Sequence, residues 1–157
     1  MKKKAQKLIR LLKEKNMTVS TAESLTGGLV AASLVDIAGA SNVFNEGYIT
    51  YSNEAKERIL GVSGNDLADY GAVSESVATA MCKGCMRVSG SDIGISTTGI
   101  AGPDGGSKEK PVGTVYIGVT TKDKTDVRKY VFSGDRDEVR NQTVETALLM
   151  AISIIDN

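Results

Sequence analysis

Apolar residues along the chain recur with two different periods, one typical of α-helices and one typical of β-strands. In residues 2–15 the apolar side chains fall on one helical face, with basic side chains between them, which predicts an amphipathic helix. Helical periodicity and capping residues predict further helices at residues 27–38, 53–60, 64–69, 74–88 and 135–155. Runs of β-forming residues predict strands at residues 17–20, 47–52, 93–98, 112–121 and 127–132.

The predicted helices and strands alternate along most of the chain, which is typical of an α/β sandwich with a largely parallel sheet. The last two strands follow one another without a helix, around the segment KDKTD, so one strand is expected to run antiparallel to its neighbours. A length of 157 residues suits one domain, and no linker or internal repeat divides the sequence. We therefore expect a single domain over residues 1–157.

The net charge and the hydropathy of the sequence argue against nucleic acid and membranes as partners. The sequence has 19 Lys and Arg residues and 19 Asp and Glu residues, so its formal net charge is zero. Nucleic-acid-binding domains draw much of their affinity from a basic surface, so this balance argues against such a partner. No apolar run approaches the roughly 20 residues of a membrane span, which argues against a membrane protein. The start of the chain lacks a signal-peptide pattern, so we expect a cytoplasmic protein.

Histidine is absent from the sequence. Its absence excludes a Ser-His-Asp triad, a Cys-His pair and a histidine-ligated zinc site within this chain. Acid–base chemistry near neutral pH would then depend on Lys, Tyr, Asp, Glu, Cys or a terminal amine. The two cysteines, Cys82 and Cys85, have the C-x-x-C spacing of redox motifs but fall within a predicted helix. We expect them to be reduced thiols buried on a helix face.

The first candidate for chemistry is TAESLTGG, residues 21–28, where a predicted strand gives way to a helix. Helix starts present unpaired N–H groups, which can bind a phosphate or stabilise an oxyanion. Ser24 and Thr26 lie at this junction, and Gly27 and Gly28 would allow a ligand to approach the backbone closely. The alternative is structural, with Ser24 or Thr26 acting only as a helix N-cap.

The second candidate is GYITYSNEAK, residues 47–56. Tyr48 and Tyr51 cannot share one face of a strand, because their separation is odd. Lys56 falls in the first turn of the next predicted helix, where the helix dipole opposes a positive charge and lowers the pKa of the amine. A lysine that acts as a base needs such a pKa. The alternative is a solvated lysine on a surface helix.

The third candidate is the segment of residues 98–113, which holds five of the 17 glycines and both prolines. It follows a predicted strand, and ligands of open α/β sheets bind beyond the carboxyl ends of strands. A long connection without regular structure is often functional, although a mobile surface loop has the same composition.

A pair of arginines, Arg136 and Arg140, lies one helical turn apart near the start of the last predicted helix. Their guanidinium groups could together hold a carboxylate or a phosphate. The alternative is a solvated or subunit-facing surface.

Six blocks in order carry a family resemblance: TAESLTGG, DIAGAS, GYITYSNEAK, YGAVSE, TGIAGPDGGSKEKPVGTVY and FSGDR. Together they resemble the CinA C-terminal domain family, the nicotinamide-nucleotide amidases, over residues 3–155. The resemblance implies a three-layer α/β/α sandwich around a mostly parallel, mixed five-stranded sheet. It also implies hydrolysis of nicotinamide mononucleotide to nicotinate mononucleotide and ammonia, without cofactor or metal, by a homodimer. Many members carry an additional N-terminal molybdopterin-binding-like domain, which these residues do not include.

Carried over by motif, the family's catalytic residues are Ser24 as nucleophile, Lys56 as base and Tyr51 as a proton relay. Tyr51 is preferred to Tyr48 because relatives can have Phe at the latter position. Leu25 stands where family members often have Cys, a change that leaves the nucleophile in place. The other residues expected to contact the substrate or its oxyanion are Thr26, Gly27, Gly28, Tyr48, Thr98, Gly99, Ala101, Gly102 and Arg136.

Two other functions compete with nicotinamide mononucleotide hydrolysis. One is a module that binds a pyridine nucleotide without turnover. The other is an amidase that acts on a different small amide.

Overall fold

In the computed structural model, which describes residues 1–156, a five-stranded sheet lies between two layers of helices. The strands are β1 (Val19–Glu23), β2 (Phe44–Ile49), β3 (Ile93–Gly99), β4 (Thr114–Thr120) and β5 (Thr125–Val131). The helices are α1 (Lys2–Glu14), α2 (Leu29–Val35), α3 (Asn53–Leu60), α4 (Gly64–Tyr70), α5 (Glu75–Ser89) and α6 (Arg136–Asp156). A short 3₁₀ turn, Ala40–Asn42, precedes β2.

The strand order is β2-β1-β3-β4-β5. β1 runs parallel to both of its neighbours, whereas β4 runs antiparallel to β3 and β5. The predicted α/β fold with a mostly parallel, mixed sheet and one antiparallel member is therefore confirmed. At the end of β1, Glu23 lies beside Ile49 of β2 and Thr97 of β3, so the carboxyl ends of these three strands meet at one edge of the sheet. That edge is where ligands of such sheets bind.

Each face of the sheet is covered by its own hydrophobic core. The larger core joins α1, α2 and α6 to one face, and the smaller joins α3, α4 and α5 to the other. β3 is buried over six of its seven residues, because both of its faces are covered. Within residues 1–156, no helix has the length and hydropathy that a membrane crossing requires.

In three predicted elements, β1, α2 and β2, at least one boundary differs from the structure by three residues. β1 runs to Glu23 rather than ending at residue 20. The prediction ended too early because the last residues of the strand include polar side chains that are buried, so the strand lacks the apolar pattern of a buried strand. α2 begins at Leu29 rather than at residue 27, because Gly27 and Gly28 have φ angles of 57° and 100° that a helix cannot adopt. β2 covers Phe44–Ile49 rather than 47–52, since Ser52 is already the N-cap of α3.

Local helix signals agree with the structure elsewhere. Ser63 and Ser74 cap α4 and α5 by accepting N–H groups three residues later, as their positions predict. Cys82 and Cys85 lie on α5 as free, fully buried thiols, which confirms that they are buried on a helix face. Burial raises the pKa of Cys82 to about 12 and that of Cys85 to about 11, which disfavours the reactive thiolate.

Candidate active site

Ser24 is the first residue beyond β1, at the edge where three parallel strands end. Its N–H donates to the Thr97 carbonyl at 3.0 Å, which ties it to β3, and its own carbonyl accepts the Gly27 N–H at 3.0 Å. These two backbone bonds form a tight turn and leave the side chain half-buried above the sheet edge. The hydroxyl is therefore held by the sheet and not by a flexible loop.

Lys56 lies in the first turn of α3, where the N-cap Ser52 accepts the Ala55 N–H. Its side chain is only 1% exposed. The ammonium Nζ donates to the Thr50 carbonyl at 2.8 Å, to Ser24 Oγ at 3.1 Å and, more weakly, to the Tyr51 carbonyl at 3.4 Å. No carboxylate in residues 1–156 forms an ion pair with this amine.

Burial lowers the pKa of Lys56 from 10.5 to about 8. The position of Lys56 in the sequence predicts a contribution from the helix dipole, whereas removal of the amine from water is the cause in the structure. A neutral amine has two N–H groups and one lone pair. The carbonyls of Thr50 and Tyr51 can take the N–H groups, which leaves the lone pair for the Ser24 hydroxyl proton. The contact has the geometry of a nucleophile and its general base.

Tyr51 lies just beyond β2 and its side chain is 62% exposed. Its phenol oxygen accepts a hydrogen bond from Arg136 at 3.3 Å and makes none with Ser24 or Lys56. A relay through Tyr51 between those two groups is therefore not needed for the first proton transfer, and the catalytic role of Tyr51 stays a prediction.

A buried carboxylate that the sequence motifs do not single out occupies the start of α2. Glu23 is 1% exposed. Its side-chain oxygens accept the Thr26 hydroxyl at 2.6 Å and three backbone N–H groups, those of Gly28, Val30 and Ala31, at 2.8–3.1 Å. The helix start predicted to bind a ligand anion therefore already holds an anion of the protein itself. An acidic residue just before a glycine-rich helix start is the sequence signal that could have revealed it.

Glu23 also changes which backbone groups can serve an oxyanion. The Gly28 N–H is bound to Glu23, and the Gly27 N–H is bound to the Ser24 carbonyl. By contrast, the N–H groups of Leu25 and Thr26 have no acceptor in the described part of the chain. These two groups directly follow the nucleophile in sequence and are not bound to another group of the described residues.

A cavity of about 290 Å³ opens beside the Ser24–Lys56 pair. It is lined by Ser24, Leu25, Tyr51, Asn53, Lys56, Ala72, Val73, Thr98, Gly99, Ile100, Ala101, Gly102, Asp104, Gly105 and Arg136. The structure thus brings together the three predicted catalytic residues and five of the predicted substrate contacts. Asn53 and Asp104 also line this cavity; both lie within the motif blocks but were not among the predicted site residues.

Four predicted contact residues lie outside the cavity lining. Thr26 is fully buried, with its hydroxyl between Glu23 and Thr97. Tyr48 packs against the smaller core, and its hydroxyl donates to Glu46. Gly27 and Gly28 form the turn that connects β1 to α2.

Burial and the Glu46 carboxylate together raise the pKa of Tyr48 to about 12. That shift opposes formation of a phenolate. Of the two tyrosines, Tyr51 is the one that lines the cavity.

The arginines of α6 secure the loops around the cavity. Arg136 donates to the Gly102 carbonyl at 2.8 Å and to the Tyr51 hydroxyl, and so joins the 98–113 segment to the end of β2. Arg140 donates to the carbonyls of Leu25 and Thr26 at 2.9 and 3.1 Å. The two side chains hold different loops and do not form one shared anion site.

A larger cavity of about 540 Å³ lies at the opposite edge of the sheet, where Asp92, Lys122 and Lys124 line it. Asp92 is engaged with the Thr18 backbone and hydroxyl. This cavity contains no pairing of a nucleophile with a base among the described residues, so size alone does not identify the reactive site. Within residues 1–156, no three His, Cys, Asp or Glu side chains form a group that could hold a metal ion.

Comparison with known proteins agrees with the motifs and the fold. The sequence-family model of the CinA C-terminal domain matches residues 1–155 of this chain. This chain belongs to the CinA C-terminal domain family. The family resemblance inferred from the six sequence blocks is thereby confirmed.

Curated relatives of this CinA domain are longer proteins. A putative competence-damage inducible protein of Clostridium perfringens is 55% identical over 139 residues, which is 88% of this chain and 34% of the relative. A CinA-like protein of Geobacter sulfurreducens is 52% identical over 139 residues, with the same shares of 88% and 34%. The chain therefore spans about a third of the length of these relatives.

Solved structures of CinA relatives share the whole fold. The competence/damage inducible protein CihA from Agrobacterium tumefaciens is 39% identical, with a TM-score of 0.97 and coverage of 99% of this chain and 95% of that one. A competence damage-inducible protein A from Klebsiella pneumoniae is 33% identical, with a TM-score of 0.96 and coverage of 99% and 97%. At these identities the likeness supports common descent as well as a common fold.

Replacing Glu23 with glutamine is expected to destabilise this CinA domain by about 2–4 kcal/mol, because an amide nitrogen cannot accept the N–H groups that a carboxylate oxygen accepts. Urea unfolding monitored by circular dichroism measures the change. Glu14→Gln is the control, since Glu14 forms an exposed i,i+4 pair with Arg10, and a change within about 0.5 kcal/mol is expected. Equal stabilities of the two variants would contradict the role assigned to Glu23.

Proposed function

We propose that this CinA domain hydrolyses the carboxamide of nicotinamide mononucleotide, giving nicotinate mononucleotide and ammonia. The observation that carries the proposal is the 3.1 Å contact between Lys56 Nζ and Ser24 Oγ beside a cavity of small-molecule size. The family resemblance supplies the substrate class. Serine and a buried lysine supply the nucleophile and base that a chain without histidine needs.

In the first half-reaction, neutral Lys56 takes the proton of the Ser24 hydroxyl as Oγ attacks the carboxamide carbon. A tetrahedral intermediate forms, with negative charge on the former carbonyl oxygen. Protonated Lys56 then supplies the proton with which the amide nitrogen leaves as ammonia. We assign Tyr51, which lines the same cavity, as the relay that passes this proton from Lys56 to the leaving nitrogen. The product of this half-reaction is a nicotinoyl ester of Ser24.

In the second half-reaction, a water molecule attacks the ester while Lys56 again accepts a proton. Ser24 Oγ leaves, recovers that proton from Lys56, and the carboxylic acid product ionises in solution. The overall change is one water consumed and one ammonia released, with the enzyme returned to its starting state. Lys56, 3.1 Å from Ser24 Oγ, accepts and returns a proton in both half-reactions.

The cavity offers groups of both charges for a nucleotide. Arg136 provides a guanidinium that can bind a phosphate, and Asp104 provides a carboxylate that can face a cationic pyridinium ring. Thr98, Gly99, Ala101 and Gly102 line the same cavity. These substrate contacts are part of the proposal. The proposal also includes a homodimer that acts in the cytoplasm and has no nucleic-acid or membrane partner.

Ammonia release by the purified protein tests the proposal, with nicotinamide mononucleotide, nicotinamide riboside and nicotinamide compared at equal concentration. The expected result is ammonia from the mononucleotide at a much higher kcat/KM than from the other two. Binding of the mononucleotide without ammonia would indicate a module that lacks turnover. Preference for an unphosphorylated amide would indicate a different amidase, and either result would overturn the proposal.

The pH dependence of kcat/KM should show a rising limb with an apparent pKa of about 8, the value to which burial lowers Lys56. Only the neutral amine can accept a proton, so activity is lost as the pH falls below that value. At pH 7 about a tenth of the enzyme has a neutral Lys56, which predicts an increase approaching tenfold between pH 7 and pH 9. Stopped assays of ammonia release in buffers of constant ionic strength measure kcat/KM at each pH. A profile that is flat over this range would contradict lysine as the base.

A further inference from the structure

The turn that follows Ser24 is held from a distant part of the chain by Arg140. This residue lies on α6, and its side chain is 26% exposed. Nε donates to the Leu25 carbonyl at 2.9 Å, and a terminal nitrogen donates to the Thr26 carbonyl at 3.1 Å. One planar guanidinium thus binds two consecutive carbonyls of the backbone directly after the nucleophile.

Holding a carbonyl also orients the N–H of the same peptide unit. In a planar trans peptide the C=O and N–H bonds point in opposite directions. Arg140 fixes the Leu25 carbonyl and therefore directs the Thr26 N–H away from α6. The second bond of Arg140, to the Thr26 carbonyl, orients the Gly27 N–H of that peptide unit. The Gly27 N–H in turn donates to the Ser24 carbonyl and so orients the Leu25 N–H.

Of the N–H groups oriented in this way, those of Leu25 and Thr26 are without an acceptor in residues 1–156. Consecutive free N–H groups in a turn form a concavity that binds anions. The N–H of the residue after a nucleophile is a suitable donor to a tetrahedral oxyanion. The N–H groups of Gly27 and Gly28, two of the residues expected from the sequence to contact the oxyanion, are already bound within the protein.

We propose that Arg140 is a positioning residue, which holds the N–H groups of Leu25 and Thr26 as the oxyanion hole for attack by Ser24. This inference rests on the proposed amide hydrolysis and names the backbone groups that stabilise its intermediate. Arg140 itself does not line the cavity, so its effect on the reaction passes through the backbone.

An oxyanion exists only after attack, so its stabilisation affects kcat and leaves substrate binding largely unchanged. Arg140→Met removes both hydrogen bonds, and kcat for nicotinamide mononucleotide is expected to fall on the order of 100-fold with KM within about threefold. Arg140→Lys keeps one donor and should recover part of the loss, since an ammonium group cannot span two carbonyls as a guanidinium does.

Asp137→Asn is the matched control. Asp137 is 83% exposed and lies 3.8 Å from the far side of the Arg140 guanidinium, so its loss leaves the carbonyl bonds intact. Its kcat should equal that of the unmodified protein. Thermal unfolding of all variants shows that the fold is retained. Should Arg140→Met fail to fold, Arg140→Lys with the same kinetic analysis decides the question.

Acylation of Ser24 by p-nitrophenyl acetate, corrected for the rate of Ser24→Ala, provides a second readout. It passes through the same oxyanion but needs no nucleotide site. A parallel loss of ester and nucleotide rates in Arg140→Met supports the inference. Unchanged rates, or a raised KM at unchanged kcat, overturn it.

The ester also separates this inference from the proposed function. If the unmodified protein is acylated by the ester but releases no ammonia from the nucleotide, the proposed function fails, and Arg140 is judged on the ester rates alone. If Ser24 reacts with neither compound, both proposals fail.

Discussion

Replacing Ser24 with alanine is expected to abolish ammonia release from nicotinamide mononucleotide, with kcat falling roughly 10⁶-fold, the scale seen when the nucleophile of a serine hydrolase is removed. Within residues 1–156, no other side-chain hydroxyl forms a hydrogen bond with the Lys56 amine. Alanine keeps the backbone bonds to Thr97 and Gly27, so the turn should survive the change. The loss should therefore be one of chemistry and not of folding.

Steady-state assays with coupled detection of ammonia measure the effect, and isothermal titration with the nucleotide shows whether the variant still binds it. Ser76→Ala is the control, because Ser76 lies on α5 and its hydroxyl bonds to Asp66, outside the cavity. Full activity is expected there. A Ser24→Ala enzyme that kept a tenth of normal turnover would exclude Ser24 as the nucleophile.

Replacing Lys56 with methionine is expected to lower kcat by several orders of magnitude, because no other base among the described residues contacts the Ser24 hydroxyl. Methionine has a similar length and no charge, so it suits the buried position. Lys56→Arg should be equally inactive, since a guanidinium does not release its proton near neutral pH. Activity in either variant at the normal rate would remove Lys56 from the mechanism.

The same variant makes a prediction about stability. The pKa of Lys56 is lowered from 10.5 to about 8, so the folded protein binds its proton less tightly than the unfolded chain does. This contribution opposes folding below pH 8 and disappears as the pH rises toward 10.5. At 1.36 kcal/mol per pH unit the difference amounts to about 3 kcal/mol.

Urea unfolding of both proteins at pH 7 and pH 10.5 measures this contribution. The unmodified protein should gain about 3 kcal/mol relative to Lys56→Met between the two pH values. Other titrating groups are common to both proteins and cancel in the comparison. A stability difference that does not change with pH would show that the Lys56 amine is not desolvated in the folded protein.

Much of the candidate site could be predicted because the family motifs lie in short continuous blocks. The motifs predict Ser24 and Lys56 as a catalytic pair, although 32 positions separate them, and the structure places their side chains in contact. The resemblance carried that pairing, whereas local propensity alone left both residues open to structural alternatives. The contact itself depends on β1 and β2 being neighbours and parallel, which brings the ends of both strands to one edge.

Glu23 and Arg140 show the limit of prediction from local sequence. The local sequence places Glu23 just before a glycine-rich helix start, but its four hydrogen bonds exist only because α2 turns back over the end of β1. From the sequence alone, Arg140 could bind a ligand, a partner or solvent. The structure shows that α6 packs against the turn 115 positions earlier in the chain, where Arg140 binds the backbone. Partners that are distant in sequence are set by packing, which a single sequence does not display.

The sequence by itself determined the alternation of helices and strands, the caps at Ser63 and Ser74, and the absence of histidine chemistry. These features follow from side-chain periodicity and from hydrogen bonds between residues three apart. Only the tertiary structure decided that the α2 start holds Glu23 and that Tyr51, rather than Tyr48, faces the cavity. Such outcomes depend on which groups lose contact with water when the layers close over the sheet, because burial then forces each polar group to find a partner within the protein.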